Sequence, residues 1–254
     1  MKLNFGWHSS LSLLTFTLTF SNAVLEVKAQ SYSTPRAWLI SQKFQPPIGN
    51  DPKPATTGGA TRGGPTCFTG EKGLTPLLPA NKLGLTFRNN PTFFWYTPPS
   101  PAKTAEFIIA TNDDQNQELY KTTLTLPDKS GIVGFTLPKN VSILKEGITY
   151  HWIVTVICDP KDSSENPHLD GWVKLTSPNK QLSQALAAAN PSIVSNLYAK
   201  NGIWYEALDN LVKLRRTKPQ NARIKQNWQD FLGSVGLVNL FQEPFVDLPP
   251  QKNS

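Results

Sequence analysis

The sequence predicts an α+β protein: an antiparallel β-sandwich first, then a small helical region. Three observations carry this. From about Leu74 to Thr176, short apolar-rich runs alternate with turn residues, the pattern of strands joined by tight connections. After Pro178 the apolar spacing changes to three and four residues, the period of a helix. The two cysteines, Cys67 before and Cys158 within the strand-rich stretch, are placed to staple it.

The chain begins with Lys2, an apolar run from Leu11 to Phe20, and small-residue exits at Ser21-Asn22-Ala23 and Val27-Lys28-Ala29. A positive start, an apolar core and an A-x-A-like site make a secretory signal, so residues 1–29 are read as a signal peptide. Cleavage after Ala29 is favoured over Ala23. Extended to Leu25, the apolar stretch reaches about 15 residues, short of the roughly 20 that span a bilayer. The mature chain is therefore expected to be periplasmic, cell-surface or secreted, and not transmembrane.

Loss of Lys2, Glu26 and Lys28 lowers the formal charge of +7 by one. Outside the cytoplasm that basic balance points to a protein or an anionic envelope component as partner, and away from nucleic acid. In the same compartment two isolated cysteines outside CxxC spacing most simply form one disulfide. It would close a loop of about 90 residues and contribute roughly 4–5 kcal/mol by the chain-entropy account. A free structural thiol or a nucleophile are the alternatives.

Residues 30–66 hold Pro35, Pro46, Pro47, Pro52, Pro54 and Pro65, with glycines at 58, 59, 63 and 64. Such composition buries little apolar surface, so a flexible or extended arm is expected, with Arg36–Ile40 as a weak docking group. The sandwich is assigned to residues 67–178. Its strands are read as Leu83–Arg88, Thr92–Thr97, Glu106–Ala110, Leu119–Leu126, Ile132–Leu137, Thr149–Cys158 and Trp172–Leu175. Turns at Asn89-Asn90-Pro91, Pro98-Pro99, Asp113-Asp114 and Asp128–Gly131 separate them.

One motif sharpens this reading. Leu144, Gly147 and Tyr150 are spaced by three before a long strand. That spacing resembles the tyrosine corner of immunoglobulin-like and fibronectin-like sandwiches, where the phenol bonds back to upstream backbone. Tyr150, Trp152, Val154, Val156 and Cys158 share one strand face, and Ile153 and Ile157 the other, as in a central strand. An ordinary core tyrosine is the alternative.

Residues 179–242 are read as helical. Leu182, Ala185, Leu186 and Ala189 form a first stripe. Asn190-Pro191 is an N-cap with proline in the first turn. Ile193, Val194, Leu197 and Tyr198 line that second helix, and Asn201-Gly202 ends it. Ile203, Ala207, Leu208, Leu211, Val212 and Leu214 stripe a third; Trp228, Phe231, Leu232 and Val235 a fourth. Leu197–Trp228 resembles one tetratricopeptide-type unit. Arrays need about three such units, so this hairpin is expected to pack on the sandwich. Residues 243–254 are read as a tail.

Several segments together resemble the exported, chiefly cyanobacterial family called domain of unknown function 928. They are Gly58–Gly63, Leu74–Pro79, Pro91–Tyr96, Ile157–Pro160, Gly171–Val173 and Tyr198–Leu208, within about Gly58 to Leu237. The chain departs from the pattern at Lys161-Asp162-Ser163-Ser164, where an Asp-Arg-Ser step is expected. The resemblance implies export and carries no known activity.

Candidate chemistry is sparse. Asp159, Asp162, Glu165 and Asp170 could gather carboxylates for calcium, but fit no defined calcium loop; a solvated connection is the plainer reading. Asp113, Asp114, Asn116 and Glu118 form a second acidic group, read as a hairpin turn. Gly58–Gly64 lacks the lysine and Ser/Thr of a nucleotide loop. His151 alternates with core residues and is read as structural. No G-x-S-x-G, H-E-x-x-H or paired-carboxylate signature occurs. The most distinctive surface feature is the basic run Lys213, Arg215, Arg216, Lys218, Arg223 and Lys225, free of acids between Asp209 and Asp230.

The expected function is thus a non-enzymatic binding or adaptor protein without cofactor, docking an envelope partner through that basic face with Trp204 and Tyr205. The alternative is a carbohydrate-binding protein or hydrolase using the loop Asp159–Asp170, with Trp172 as a stacking surface.

Overall fold

A computed structural model describes residues 1–2, 42–47, 67–113, 115–162 and 166–251. The signal segment after Lys2, Arg36–Ile40 and the glycine cluster lie outside the described residues. The chain divides into a unit over Met1–Leu39 and a unit over Ile40–Ser254; the second holds every strand and helix described below.

Eight strands form: β1 (Thr75–Pro76), β2 (Leu83–Thr86), β3 (Thr92–Thr97), β4 (Thr104–Thr111), β5 (Glu118–Thr125), β6 (Gly131–Thr136), β7 (Thr149–Val156) and β8 (His168–Leu175). They make a three-stranded sheet in the order β1-β3-β6 and a five-stranded sheet in the order β2-β8-β7-β4-β5. All pairs are antiparallel except β2 with β8, which run parallel. The sequence reading of a wholly antiparallel arrangement is corrected there. Apolar alternation reports which face a residue takes and says nothing of strand direction. The two-residue β1 is likewise too short to show a period.

The core forms because alternate residues are apolar. On β7, Tyr150, Trp152, Val154 and Val156 are buried while the residues between them are partly exposed. The Phe93 ring of the three-stranded sheet lies 5.1 Å from that of Phe107 and 5.2 Å from that of Trp152, both on the five-stranded sheet. At the entry to β7, the Lys145 backbone N–H donates to Tyr150 Oη at 3.1 Å, and Gly147 takes φ +78° in the turn between them. Cys67 and Cys158 are joined as a disulfide.

Four helices follow: α1 (Lys180–Ala188), α2 (Pro191–Lys200), α3 (Trp204–Thr217) and α4 (Ala222–Gly233). Asn179, Asn190 and Asn221 cap α1, α2 and α4, each accepting from a backbone N–H in the first turn. Gly202, at φ +73°, turns the chain from α2 into α3. No helix among the described residues is long and apolar enough to cross a membrane.

Helix α3 closes the core. Its N-terminal aromatics, Trp204 and Tyr205, are 0% and 2% exposed. Trp204 Nε1 donates to the Leu77 carbonyl at 2.9 Å. Tyr205 Oη accepts from Trp152 Nε1 at 2.9 Å and donates to the Trp172 carbonyl at 3.2 Å. Gly84 on β2 makes room, since a Cβ there would lie 2.5 Å from the Tyr205 ring. Trp204 and Tyr205 therefore belong to no open helical face. Two large rings gain more from burial, with their polar atoms satisfied, than from exposure at a helix start.

Six residues of the predicted arm are also in place. Phe44 is buried, its ring centroid 4.8 Å from that of Trp204. Gln45 N–H donates to the Ala199 carbonyl at 3.0 Å, and Gln42 Nε2 to Ser195 Oγ at 2.7 Å. Low apolar content hid this docking, whose apolar part rests on one phenylalanine. At the other end, residues 244–246 continue the edge of β6: Ile132 N–H donates to the Pro244 carbonyl, and Val246 N–H to that of Ile132.

Candidate functional site

The outer face of the five-stranded sheet gathers the chemistry. Strand register puts Trp172 (β8), His151 (β7), Ala110 (β4) and Glu118 (β5) side by side in one row. The next row on that face is Asp170, Ile153, Ile108 and Lys121. A register shift at Ile109/Ala110 places Glu118 and Lys121, three residues apart, in neighbouring rows. Ala110 is the smallest member of its row, so the sheet is hollow above it. The result is a cavity of about 400 Å³ lined by Ile108, Ala110, Asn112, Asn116, Glu118, His151, Ile153 and Trp172.

Its wall is braced from behind. Asp170 is 2% exposed and holds two cationic or imidazole partners: Lys82 Nζ at 2.5 Å from Oδ1 and His151 Nε2 at 3.0 Å from Oδ2. Lys82 reaches it from a turn in which it adopts φ +56° and donates its N–H to the Pro79 carbonyl at 2.8 Å. Burial alone would raise the Asp170 pKa. The hydrogen bonds from His151 and Lys82, and their charge, outweigh it and hold the carboxyl below its ordinary range. An ionised Asp170 is acceptor-only, so His151 donates from Nε2 and, when neutral, keeps Nδ1 as its acceptor.

The His151 ring stacks on Trp172 with centroids 4.7 Å apart and planes 14° from parallel. Trp172 Nε1 donates to Asn112 Oδ1 at 2.9 Å, which leaves the Asn112 Nδ2 donor for other partners. Trp172 is only 2% exposed. It is thus no open stacking surface, as the sequence reading had it, but the backing of the imidazole. A wider hollow of about 650 Å³ shares Asn112 and is walled by the corner around Tyr150, with Lys145, Gly147 and Ile148.

The other predicted residues fall elsewhere. Asp170 lies within β8, buried and paired, rather than in a solvated loop with Asp159 and Asp162. The Asp159 carboxylate accepts from the Lys161 N–H at 2.8 Å. Asn166, which the sequence reading passed over, secures this turn by accepting from the N–H groups of Cys158 and Asp159. Among the described residues no group of three His, Cys, Asp or Glu could hold a metal ion.

The basic run is less bare than its sequence. Lys213 pairs with Asp209 at 2.7 Å, and Arg216 with Asp247. Arg216 also lies over the Phe245 ring, and Arg215 reaches the Pro219 carbonyl. Lys218, Arg223 and Lys225 are exposed. The acid-free stretch is local to the sequence; folding brings a carboxylate from the preceding turn of α3 and one from the tail.

The family described as Domain of Unknown Function (DUF928) matches residues 57–245, about three quarters of the chain. The chain belongs to that family. No curated protein and no solved structure matches it significantly. The matched span takes in every lining residue of the cavity in this DUF928 chain, together with Lys82 and Asp170.

Sequence reasoning found parts of this site without joining them. The sequence reads His151 as structural and Asp113, Asn116 and Glu118 as a hairpin turn; Asp113 and Asn116 do lie in the β4–β5 turn, while Glu118 opens β5. The usable signal was the two-residue period: it sets His151 and Ile153 opposite the buried Trp152. Lys82 and Asn112 gave none, because their roles depend on pairing across the sheet.

Proposed function

We propose that this DUF928 protein is an exported, non-enzymatic binding protein that engages an envelope or surface component through the open face of its five-stranded sheet. One observation carries the reading: a braced cavity over Ala110, where His151 and Glu118 from strands β7 and β5 converge with Asn112 and Asn116 from the β4–β5 turn. Export is supported by the signal pattern of residues 1–29 and by the Cys67–Cys158 disulfide. No serine, threonine or cysteine is among the described lining residues, which leaves the Asp170–His151 pair without a hydroxyl or thiol to activate.

We read the two sheets as an immunoglobulin-like sandwich. Their strand orders and the bond from Lys145 to Tyr150 support that reading. The α2–α3 pair, with its Gly202 turn and Tyr205-Glu206-Ala207-Leu208 segment, is read as a tetratricopeptide-like hairpin. Following the resemblance, the envelope is that of a cyanobacterium.

Cosedimentation of the purified protein with isolated envelope material tests the function. Retention should survive high salt and Arg215→Glu/Arg216→Glu, and be lost in Ala110→Leu. Retention abolished by the charge reversal but kept in Ala110→Leu would return the binding surface to the helices.

A further inference from the structure

We infer that the cavity over Ala110 takes a neutral, hydroxyl-rich ligand, a short saccharide segment. This rests on the binding reading above and names its ligand class. The argument is an inventory of what the cavity offers. Its floor is apolar: Ile108, Ala110 and Ile153. Its rim is polar and mixed. Glu118 supplies carboxylate acceptors, and Asn112 keeps an amide donor because Trp172 occupies its carbonyl oxygen. Asn116 offers both a donor and an acceptor, and His151, bonded to Asp170 through Nε2, presents its other ring nitrogen, Nδ1.

The competing ligand classes fit worse. An anion such as phosphate would meet the Glu118 carboxylate with no lysine or arginine among the lining residues. The two nearby lysines are engaged: Lys82 with Asp170, and Lys121 with Glu106 at 2.8 Å. A divalent cation would find one carboxylate where it needs several oxygens. A wholly apolar ligand would strip water from the carboxylate and both amides without replacing their hydrogen bonds. A sugar has an apolar C–H face and a rim of hydroxyls that both donate and accept, which matches floor and rim together. The volume of about 400 Å³ lies toward the lower end of small-molecule sites, suited to one or two rings.

Two of the four polar rim residues are preset. His151 is held by Asp170 and by the stack on Trp172; Asn112 is held by Trp172 Nε1. Polar groups locked before binding lose little side-chain entropy when the ligand arrives.

An NMR titration of the purified protein tests this, with the Trp172 indole N–H and the His151 ring as reporters. The probes are maltotriose, cellotriose, N,N′-diacetylchitobiose, sodium phosphate and calcium chloride. At least one saccharide should shift both reporters saturably. Glu118→Gln and Asn112→Ala should each weaken it tenfold or more, and Ala110→Leu should abolish it. Lys213→Glu, on the helices, should leave it unchanged. If Ala110→Leu does not fold, the other two variants still decide. Saturation by phosphate or calcium with no saccharide response would overturn the ligand class and leave the binding site standing. No response to any probe would remove both, as would a saccharide response that the cavity variants leave intact.

Discussion

Asp170 and Glu206 are both buried carboxylates, yet their pKa values move in opposite directions. The difference is in their partners. Asp170 has a lysine and an imidazole. Glu206 accepts from Thr86 Oγ1 at 2.8 Å and from the Phe87 N–H at 3.0 Å, and its Oε2 has no hydrogen-bond partner among the described residues. Burial therefore raises Glu206 further than its hydrogen bonds lower it. The signs of the pH effects follow. The depressed Asp170 contributes stability above its ordinary value of 3.8, and that contribution is lost as pH falls through the folded value. The raised Glu206 binds its proton more tightly when folded, so stability falls as pH rises from 4.5 through its folded value. Urea unfolding of Glu206→Gln across pH 4 to 8 should lack that decline, while Asp170→Asn should lack the acid-side loss. Asp170→Asn should also cost about 3 kcal/mol at pH 7, because Lys82 and His151 lose a buried ionised partner. A variant with unchanged stability would mean that the pair is dispensable and the cavity wall is braced by other contacts.

At the scale of elements, Phe44 shows what patterning conveys and what it omits. The strands from β2 to β8 and the four helices were legible because each repeats an apolar residue at its own period, and because Asn190-Pro191 and Asn201-Gly202 punctuate α2 from both sides. Phe44 stands alone in a proline-rich stretch, with no period to read. Its docking depends on an aromatic hollow that α3 and α4 form only once packed, with the Phe231 ring 6.2 Å away. The parallel β2–β8 pair escaped for the same reason, as did the cross-sheet row that joins Trp172 to Glu118: a partner's identity is not encoded locally. Phe44→Ala should cost about 3 kcal/mol in chemical denaturation through lost burial and the cavity left behind. It should also raise amide exchange in α2, where Gln45 is bonded. Tyr150→Phe should cost about 1 kcal/mol, the net worth of one hydrogen bond, with the strand pairing of β7 intact. A Tyr150→Phe loss several-fold larger would mean that the phenol organises the corner and the adjoining hollow rather than simply closing it.

For the whole molecule, the link that matters most is the one between Cys67 and Cys158, separated by 91 residues. The closed loop contains β1 through β7, while β8 and all four helices lie outside it. The crosslink thus constrains the strands of both sheets in the unfolded chain and leaves α3, which completes the core with Trp204 and Tyr205, unconstrained. Chain entropy assigns such a loop roughly 4–5 kcal/mol, most of it from the denatured side. Cys67→Ser/Cys158→Ser should then unfold at markedly lower urea concentration while its folded form keeps the same Trp172 and His151 NMR signals, because both rings sit near the start of β7 and Cys158 follows its end. The same fall should follow added reductant in the native chain. An unchanged midpoint would place the stabilisation elsewhere, in the α3 aromatics. A shifted Trp172 indole signal would couple the disulfide to the cavity, and with it redox state to binding.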